Sequence, residues 1–247
     1  FIQIGTNLVN DYYDFKKGAD TSSRKGPTRV TQAGLISPKQ VKLGFYTCFL
    51  LAFIIGLYLM YLGGVPIIII GLSSLLFAYM YTGGPFPLGY KGLGDIFVFA
   101  YFGPIAVAGT TYLQTFTFSI NAVALGFIPG LLSVAILTVN NLRDSNEDAL
   151  VDKKTLVVRF GNTFGKIEYT SMVLVSLLVP FFLSSFGKPP LSFNSFFIGS
   201  LILLGIFALI LIKAIWRKTG ADLNPYLGKT ALFLIIYTII TSIIFFT

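Results

Sequence analysis

Seven long apolar runs, none with a charge in its central part, constrain this chain more than any other feature. They cover roughly residues 41–62, 65–82, 96–113, 120–139, 167–186, 193–215 and 230–246. A helix needs about 20 apolar residues to cross a bilayer. Apolar residues fall on every face of these runs, whereas the strands of a membrane barrel alternate over about ten residues per segment. In a hydrocarbon medium each backbone N–H and C=O must be paired within its own segment, so the runs read as helices of an all-α, polytopic transmembrane bundle. Residues 1–9 form a shorter apolar stub, read as the end of one more helix whose beginning is missing, and Phe1 is not an initiator Met. The expected organisation is therefore a single transmembrane domain over 1–247, N-terminally truncated, with seven full spans plus the stub of an eighth.

The connecting segments alternate in character. Residues 10–42, 83–95, 140–168 and 213–229 are polar, while those near 63–64, 114–119 and 187–192 are short and almost uncharged. Of the 18 Lys and Arg, 17 lie in the first set and only Lys188 lies in the second. The positive-inside rule makes the basic side cytoplasmic. The net charge of +8 is then a signal of topology and of anionic lipid or substrate, and basic residues flanking membrane helices argue against nucleic acid as a partner.

The chain has no His and one Cys, Cys48. That excludes a Ser-His-Asp or Cys-His mechanism, a His-ligated zinc and an intrachain disulfide. Chemistry must come from elsewhere, and the ten carboxylates are where to look, because acids in such a chain are costly unless placed with purpose. Two clusters stand out. Asn7, Asp11 and Asp14 are spaced i, i+4, i+7, with Asn10 beside them. Asn140, Asp144 and Asp148 are spaced i, i+4, i+8, with Asn141 beside them. Each set forms one stripe on a helix. Four spans lie between the clusters, so both belong to the same membrane face. Like charges gathered there repel, and a hard divalent cation such as Mg²⁺, which completes its shell with water and phosphate oxygens, would offset that repulsion. The nearby bases Lys91, Arg143, Lys153 and Lys154 suit a diphosphate. Solvated helix ends are the plainer alternative for either cluster alone; two matched clusters on one face favour a metal–diphosphate site.

Residues 10–38, with Asn10-Asp11-Tyr12-Tyr13-Asp14, Lys16-Lys17-Gly18-Ala19-Asp20 and Gly26-Pro27-Thr28-Arg29-Val30-Thr31-Gln32, resemble the first motif of UbiA-type membrane prenyltransferases. Tyr81-Thr82-Gly83-Gly84-Pro85 through Asp95, Asn140 through Leu156 and Leu223-Asn224-Pro225 agree. Within that family the resemblance is greatest to the 1,4-dihydroxy-2-naphthoate polyprenyltransferase branch of menaquinone synthesis. The resemblance implies a bundle of nine spans around a cavity, and a prenyl group moved from a polyprenyl diphosphate to 1,4-dihydroxy-2-naphthoate with decarboxylation, giving demethylmenaquinone. It implies Mg²⁺, two ions bridging the diphosphate, and a prokaryotic cell membrane with the aspartate motifs on its cytoplasmic side.

Carried onto this sequence, Asp11, Asp14, Asp144 and Asp148 would be catalytic metal ligands, joined by Asn7, Asn10 and Asn140. Lys91, Arg143, Lys154 and Arg159 would hold the diphosphate. Asp20, Asn141 and Asp152 would support the ligands from behind, and Tyr12, Tyr13, Tyr79, Tyr81 and Tyr90 would face a developing cation. The loop 12–42, ending in Ser37-Pro38 as an N-cap and first helical residue, reads as a lid that excludes water. Three rivals are a prenyltransferase for another acceptor (4-hydroxybenzoate, haem or chlorophyll type), a secondary transporter, and a CDP-alcohol phosphotransferase. A transporter site usually lies near the midplane rather than at helix ends, and the phosphotransferase pattern of Asp-Gly, Ala-Arg, Gly and Asp on one segment does not occur.

Overall fold

The computed structural model describes residues 1–19, 25–186 and 195–246, with side chains described for all of these but 184–186, 195–197 and 244–246. Asp20, Arg24 and Lys188 lie outside the described residues. Ten α-helices carry the fold, and no strand occurs among the described residues. They are α1 (Ile2–Lys16), α2 (Pro38–Met80), α3 (Gly94–Phe102), α4 (Pro104–Thr115), α5 (Ile120–Leu125), α6 (Phe127–Leu150), α7 (Leu156–Phe160), α8 (Asn162–Phe186), α9 (Ser195–Arg217) and α10 (Asn224–Phe246). Among the described residues six helical stretches are long and apolar enough to cross a membrane. Leu50, Ile54, Leu57, Ile69 and Leu72 of α2, like Ile202, Leu203 and Leu209 of α9, keep large apolar side chains exposed, as lipid-facing surfaces require. The chain is an all-helical integral membrane protein.

The first two expected spans are both contained in α2. Ser37 caps it by accepting from the Gln40 amide while the Gln40 side chain returns to the Ser37 backbone, and Pro38 occupies the first turn. At 43 residues a straight α2 would run about 65 Å, roughly twice the hydrocarbon thickness. It folds back instead. Gly64 has φ 62° and ψ −151°, a backbone conformation essentially closed to residues with a Cβ. The rings of Phe45 and Tyr79, which a straight helix would hold about 50 Å apart, have centroids 6.3 Å apart. Both ends of the hairpin therefore emerge on the same face, beside the end of α1, whose Tyr12 and Tyr13 stack edge-on against Phe45 and Tyr79.

Two further expected spans are broken. The run 96–113 divides into α3 and α4 at Gly103, and the run 120–139 starts as α5 and resumes as α6 after Gly126. The two breaks meet. A Cβ on Gly103 would lie 2.6 Å from the Gly126 carbonyl oxygen and 2.7 Å from the Gly130 Cα, so backbone rests on backbone there. Hydropathy reads straight through both breaks.

Helix α6 is the axis of the bundle, touching α3, α5, α7, α8 and α10. Leu132, Ala135 and Val139 on α6 pack with Tyr169 and Val173 of α8, Leu211 of α9 and Phe233 and Tyr237 of α10 to form the core. The polar atoms inside it are paired: Tyr169 with Thr230 at 3.0 Å, and the Tyr237 hydroxyl donating to the Ser176 carbonyl at 2.6 Å. Because α6 continues beyond this core as Asn140–Leu150, its carboxylates ride on the best-anchored element in the molecule.

Candidate functional site

A cavity of about 700 Å³ opens at the polar end of the bundle. From α1 it is lined by Asn7, Asn10 and Asp14; from α6 by Asn140, Asn141, Asp144, Glu147 and Asp148. The two stripes, 133 residues apart at their first members Asn7 and Asn140, thus border one space. Deeper in, the wall turns apolar with Phe77, Phe97, Val98, Tyr101, Phe102, Ile136 and Leu137. The result is an amphipathic slot, oxygen-rich at its mouth and greasy at its end.

The two stripes are held differently. On α6, Arg143 is 2% exposed and its guanidinium clasps the neighbouring Asp144 through both carboxylate oxygens, at 2.6 Å from Nε and 2.6 Å from Nη2. Nη2 also donates to the Asn140 side-chain oxygen at 2.7 Å, and Nη1 to that of Asn224 at 3.1 Å. Asp148 accepts from Lys153 at 3.1 Å through Oδ1, while its Oδ2 is buried without a partner. On α1, Asp14 accepts from the Tyr90 hydroxyl at 2.8 Å and lies 3.9 Å from Arg29 Nη2. Asn10 accepts from the Thr82 hydroxyl. Asp11 is buried with Oδ1 unpartnered, but it does not line the cavity.

The polar connections tie the stripes together. Tyr90 bonds Asp14 by its hydroxyl and the Lys154 amide by its carbonyl, at 3.0 Å. One ammonium, that of Lys17, lies 3.5 Å from the Tyr90 ring centroid, and that of Lys153 lies 5.8 Å from it. Burial lowers the Lys17 ammonium from its ordinary value; Asp14 opposes that and Lys153 adds to it. For Lys153 burial acts the same way, yet Asp148, Asp14 and Asp144 together reverse the sign and hold its ammonium above the ordinary lysine value. One lysine therefore feels carboxylates from both stripes. The Tyr81 phenol is raised by burial first and then by Asp95, Asp148 and Asp14.

Several expected residues sit elsewhere. Lys91, Lys154 and Arg159 do not line the cavity. Arg159 instead donates to the carbonyls of Lys154 and Lys91, at 3.1 and 2.8 Å, bracing the two loops, and Lys154 is 54% exposed and pairs with Asp152, itself 82% exposed. Arg143 faces its own carboxylate rather than the cavity. Tyr12, Tyr13 and Tyr79 pack behind the wall, Tyr13 and Tyr79 sharing a 2.6 Å hydroxyl contact, and of the five tyrosines only Tyr81 and Tyr90 line the space. Conversely, Arg29 and Lys153 do line it. Asp152 has φ 56°, which reverses the chain and sends the adjacent Lys153 and Lys154 in different directions.

The oxygen donors suit a hard cation. Among the described residues three buried carboxylate oxygens lack partners, on Asp11, Asp95 and Asp148, and Asp95 and Asp148 line the cavity. Among the described residues no three Asp or Glu converge closely enough to hold an ion by themselves. That suits Mg²⁺, which takes one or two carboxylates and leaves positions for water and phosphate oxygens.

The profile of the UbiA prenyltransferase family matches residues 1–244. The chain is 32% identical over 98% of its length to 1,4-dihydroxy-2-naphthoate octaprenyltransferase of Haemophilus influenzae, covering 79% of that protein. It is 38% identical over 73% of its length to the Mycobacterium tuberculosis protein of the same name, covering 61% of it. To the Escherichia coli protein, again so named, it is 33% identical over 93% of its length, covering 69%.

Proposed function

Because the chain belongs to the UbiA prenyltransferase family, we propose that it transfers a polyprenyl group from its diphosphate to 1,4-dihydroxy-2-naphthoate, with loss of the ring carboxylate. The reading is carried by one observation above the others: two Asn/Asp stripes far apart in the chain, on α1 and α6, border the mouth of a single slot that becomes apolar with depth. The names of the relatives supply the acceptor.

In this reading the diphosphate lies between the stripes and the prenyl tail runs along Phe77, Phe97, Tyr101 and Phe102. Asp14, with Asn7, Asn10 and the partly hidden Asp11, and Asp144 and Asp148, with Asn140, would hold two Mg²⁺ ions. A metal held there would supply Lewis-acid stabilisation of the negative charge on the leaving diphosphate. Arg29 and Lys153 bring fixed positive charge to the mouth, in place of Lys91, Lys154 and Arg159, whose part is to brace the loops. Arg143 positions Asp144 and Tyr90 positions Asp14. Tyr81 presents a neutral ring to the developing cation. The ring carbon of the acceptor then forms the new C–C bond, the carboxylate departs as CO₂ and its electron pair returns to the ring; diphosphate is the other product. The net result is a demethylmenaquinol. The site lies at the cytoplasmic face of a bacterial cell membrane, on the side where the basic loops gather.

Purified protein given dihydroxynaphthoate, a polyprenyl diphosphate and Mg²⁺ should yield a product whose mass shows the added prenyl group and the lost CO₂. Alkylation of 4-hydroxybenzoate instead would overturn the acceptor. Unchanged turnover of Asp144→Asn would overturn the site. A transporter reading is not favoured, since the carboxylates of both stripes sit at one end of the bundle rather than along a path through it.

A further inference from the structure

Behind Arg143, on the side away from the aspartate cavity, lies a second and smaller pocket of about 130 Å³. Three separate segments bring a lysine to it: Lys25 from the first polar loop, Lys166 from the start of α8 and Lys218 from the turn between α9 and α10. Arg143 forms its inner wall, and Asn162, the first residue of α8, forms part of its rim. The convergence is built rather than incidental. Asn224 takes a hydrogen bond from Arg143 and gives one, at 2.8 Å, to the Lys25 carbonyl. The Lys25 amide donates to Glu147 at 3.2 Å. Gly220, at φ 54°, lets the Lys25 side chain lie across the turn: a Cβ there would come within 3.4–3.6 Å of its Cδ, Cε and Nζ. Lys166 is steadied by the Trp216 carbonyl at 3.0 Å. Against these cations stand Asp222, 3.9 Å from Lys218, and Glu147, which is engaged with the Lys25 backbone.

We propose that this pocket is a second anion site, binding one phosphoryl group at the membrane surface. Its size excludes anything much larger than a single such group, and three lysines from separate segments line it together with Arg143. It lies at the ends of α8 and α9, where a basic pocket between spanning helices meets the headgroups of anionic lipids. The same chemistry would accept soluble inorganic phosphate. The site stands whether or not the acceptor proposed above is correct, because its test reads binding and not turnover.

Purified protein in EDTA, which would strip any metal from the aspartate cavity, allows both sources to be tried. In one arm, protein from nanodiscs of mixed phosphatidylglycerol and phosphatidylcholine is extracted into detergent and the retained lipid is counted by mass spectrometry. In the other, the unfolding temperature in pure phosphatidylcholine discs is followed as inorganic phosphate is added. Selective retention of phosphatidylglycerol identifies a headgroup site; stabilisation by inorganic phosphate alone identifies a soluble anion site. Either response should weaken about fivefold in Lys218→Gln and roughly 25-fold in Lys166→Gln/Lys218→Gln, and Lys218→Arg should retain it. Should the double variant not fold, Lys218→Gln decides the matter, since that side chain is 46% exposed. Absence of both responses in the wild-type protein, or responses undiminished in the variants, would overturn the proposal.

Discussion

The α1 and α6 stripes carry nearly the same residues and live in different surroundings. Helix α6 is packed on five other helices, and its carboxylates are gripped by Arg143 and Lys153. Helix α1 packs chiefly on α2, and its lining carboxylate is held by one tyrosine hydroxyl and a more distant guanidinium. A shared pattern in the sequence has thus been set into one rigid mount and one compliant mount. The difference suggests a fixed half of the site against which the other half adjusts.

Substitutions can break that contrast. The largest effect is expected from Asp144→Asn, about a 10³-fold loss of turnover that added Mg²⁺ does not restore. Arg143→Ala strands the buried Asp144 charge and should cost about 3 kcal/mol in stability, seen in thermal unfolding in detergent; Arg143→Lys should recover only part of it, because an ammonium cannot reproduce the two-pronged contact. Asp14→Asn should lower turnover about 10²-fold, with partial recovery at high Mg²⁺. Equal, unrecoverable losses at Asp14 and Asp144 would erase the distinction between the mounts. Tyr90→Phe removes a single hydrogen bond to a carboxylate and should reduce turnover about fivefold, in keeping with a contribution of about 1 kcal/mol, with its effect larger on apparent Mg²⁺ affinity than on the saturated rate. Smallest of all, Arg159→Gln should change turnover less than about twofold, as for an exposed contact; a loss as large as that of Asp14→Asn would return Arg159 to the diphosphate.

Much of this was legible from sequence, and the gaps have physical causes. Hydropathy locates spans because lipid solvates every face of a helix alike, which is why 41–62 and 65–82 stand out. The one-sided placement of Lys and Arg was enough to gather both stripes at one end. Hydropathy carries no record of backbone direction, so it does not mark the breaks at Gly103 and Gly126; Pro104 inside the run permits a kink without requiring one, since membrane helices tolerate proline. Counting bases cannot say which way each points: Lys153 and Lys154 are neighbours in sequence, yet the left-handed turn at Asp152 separates their fates. Helical spacing put Asp11 on the stripe with Asn7 and Asp14, yet of α1's Asn and Asp residues only Asn7, Asn10 and Asp14 line the cavity. The loop 12–42, expected to act as a lid, is described to residue 19 and from residue 25 onward, and from it Asp14, Ala19 and Arg29 line the cavity.

The crossing of Gly103 with Gly126 and Gly130 has a mechanical meaning. Elsewhere in the bundle strain can be absorbed by a side chain changing rotamer. Where two main chains touch there is nothing soft to yield. The half-helices α3, α4, α5 and α6 therefore share one incompressible fulcrum, and any rocking that widens the slot on one side of it must narrow the packing on the other.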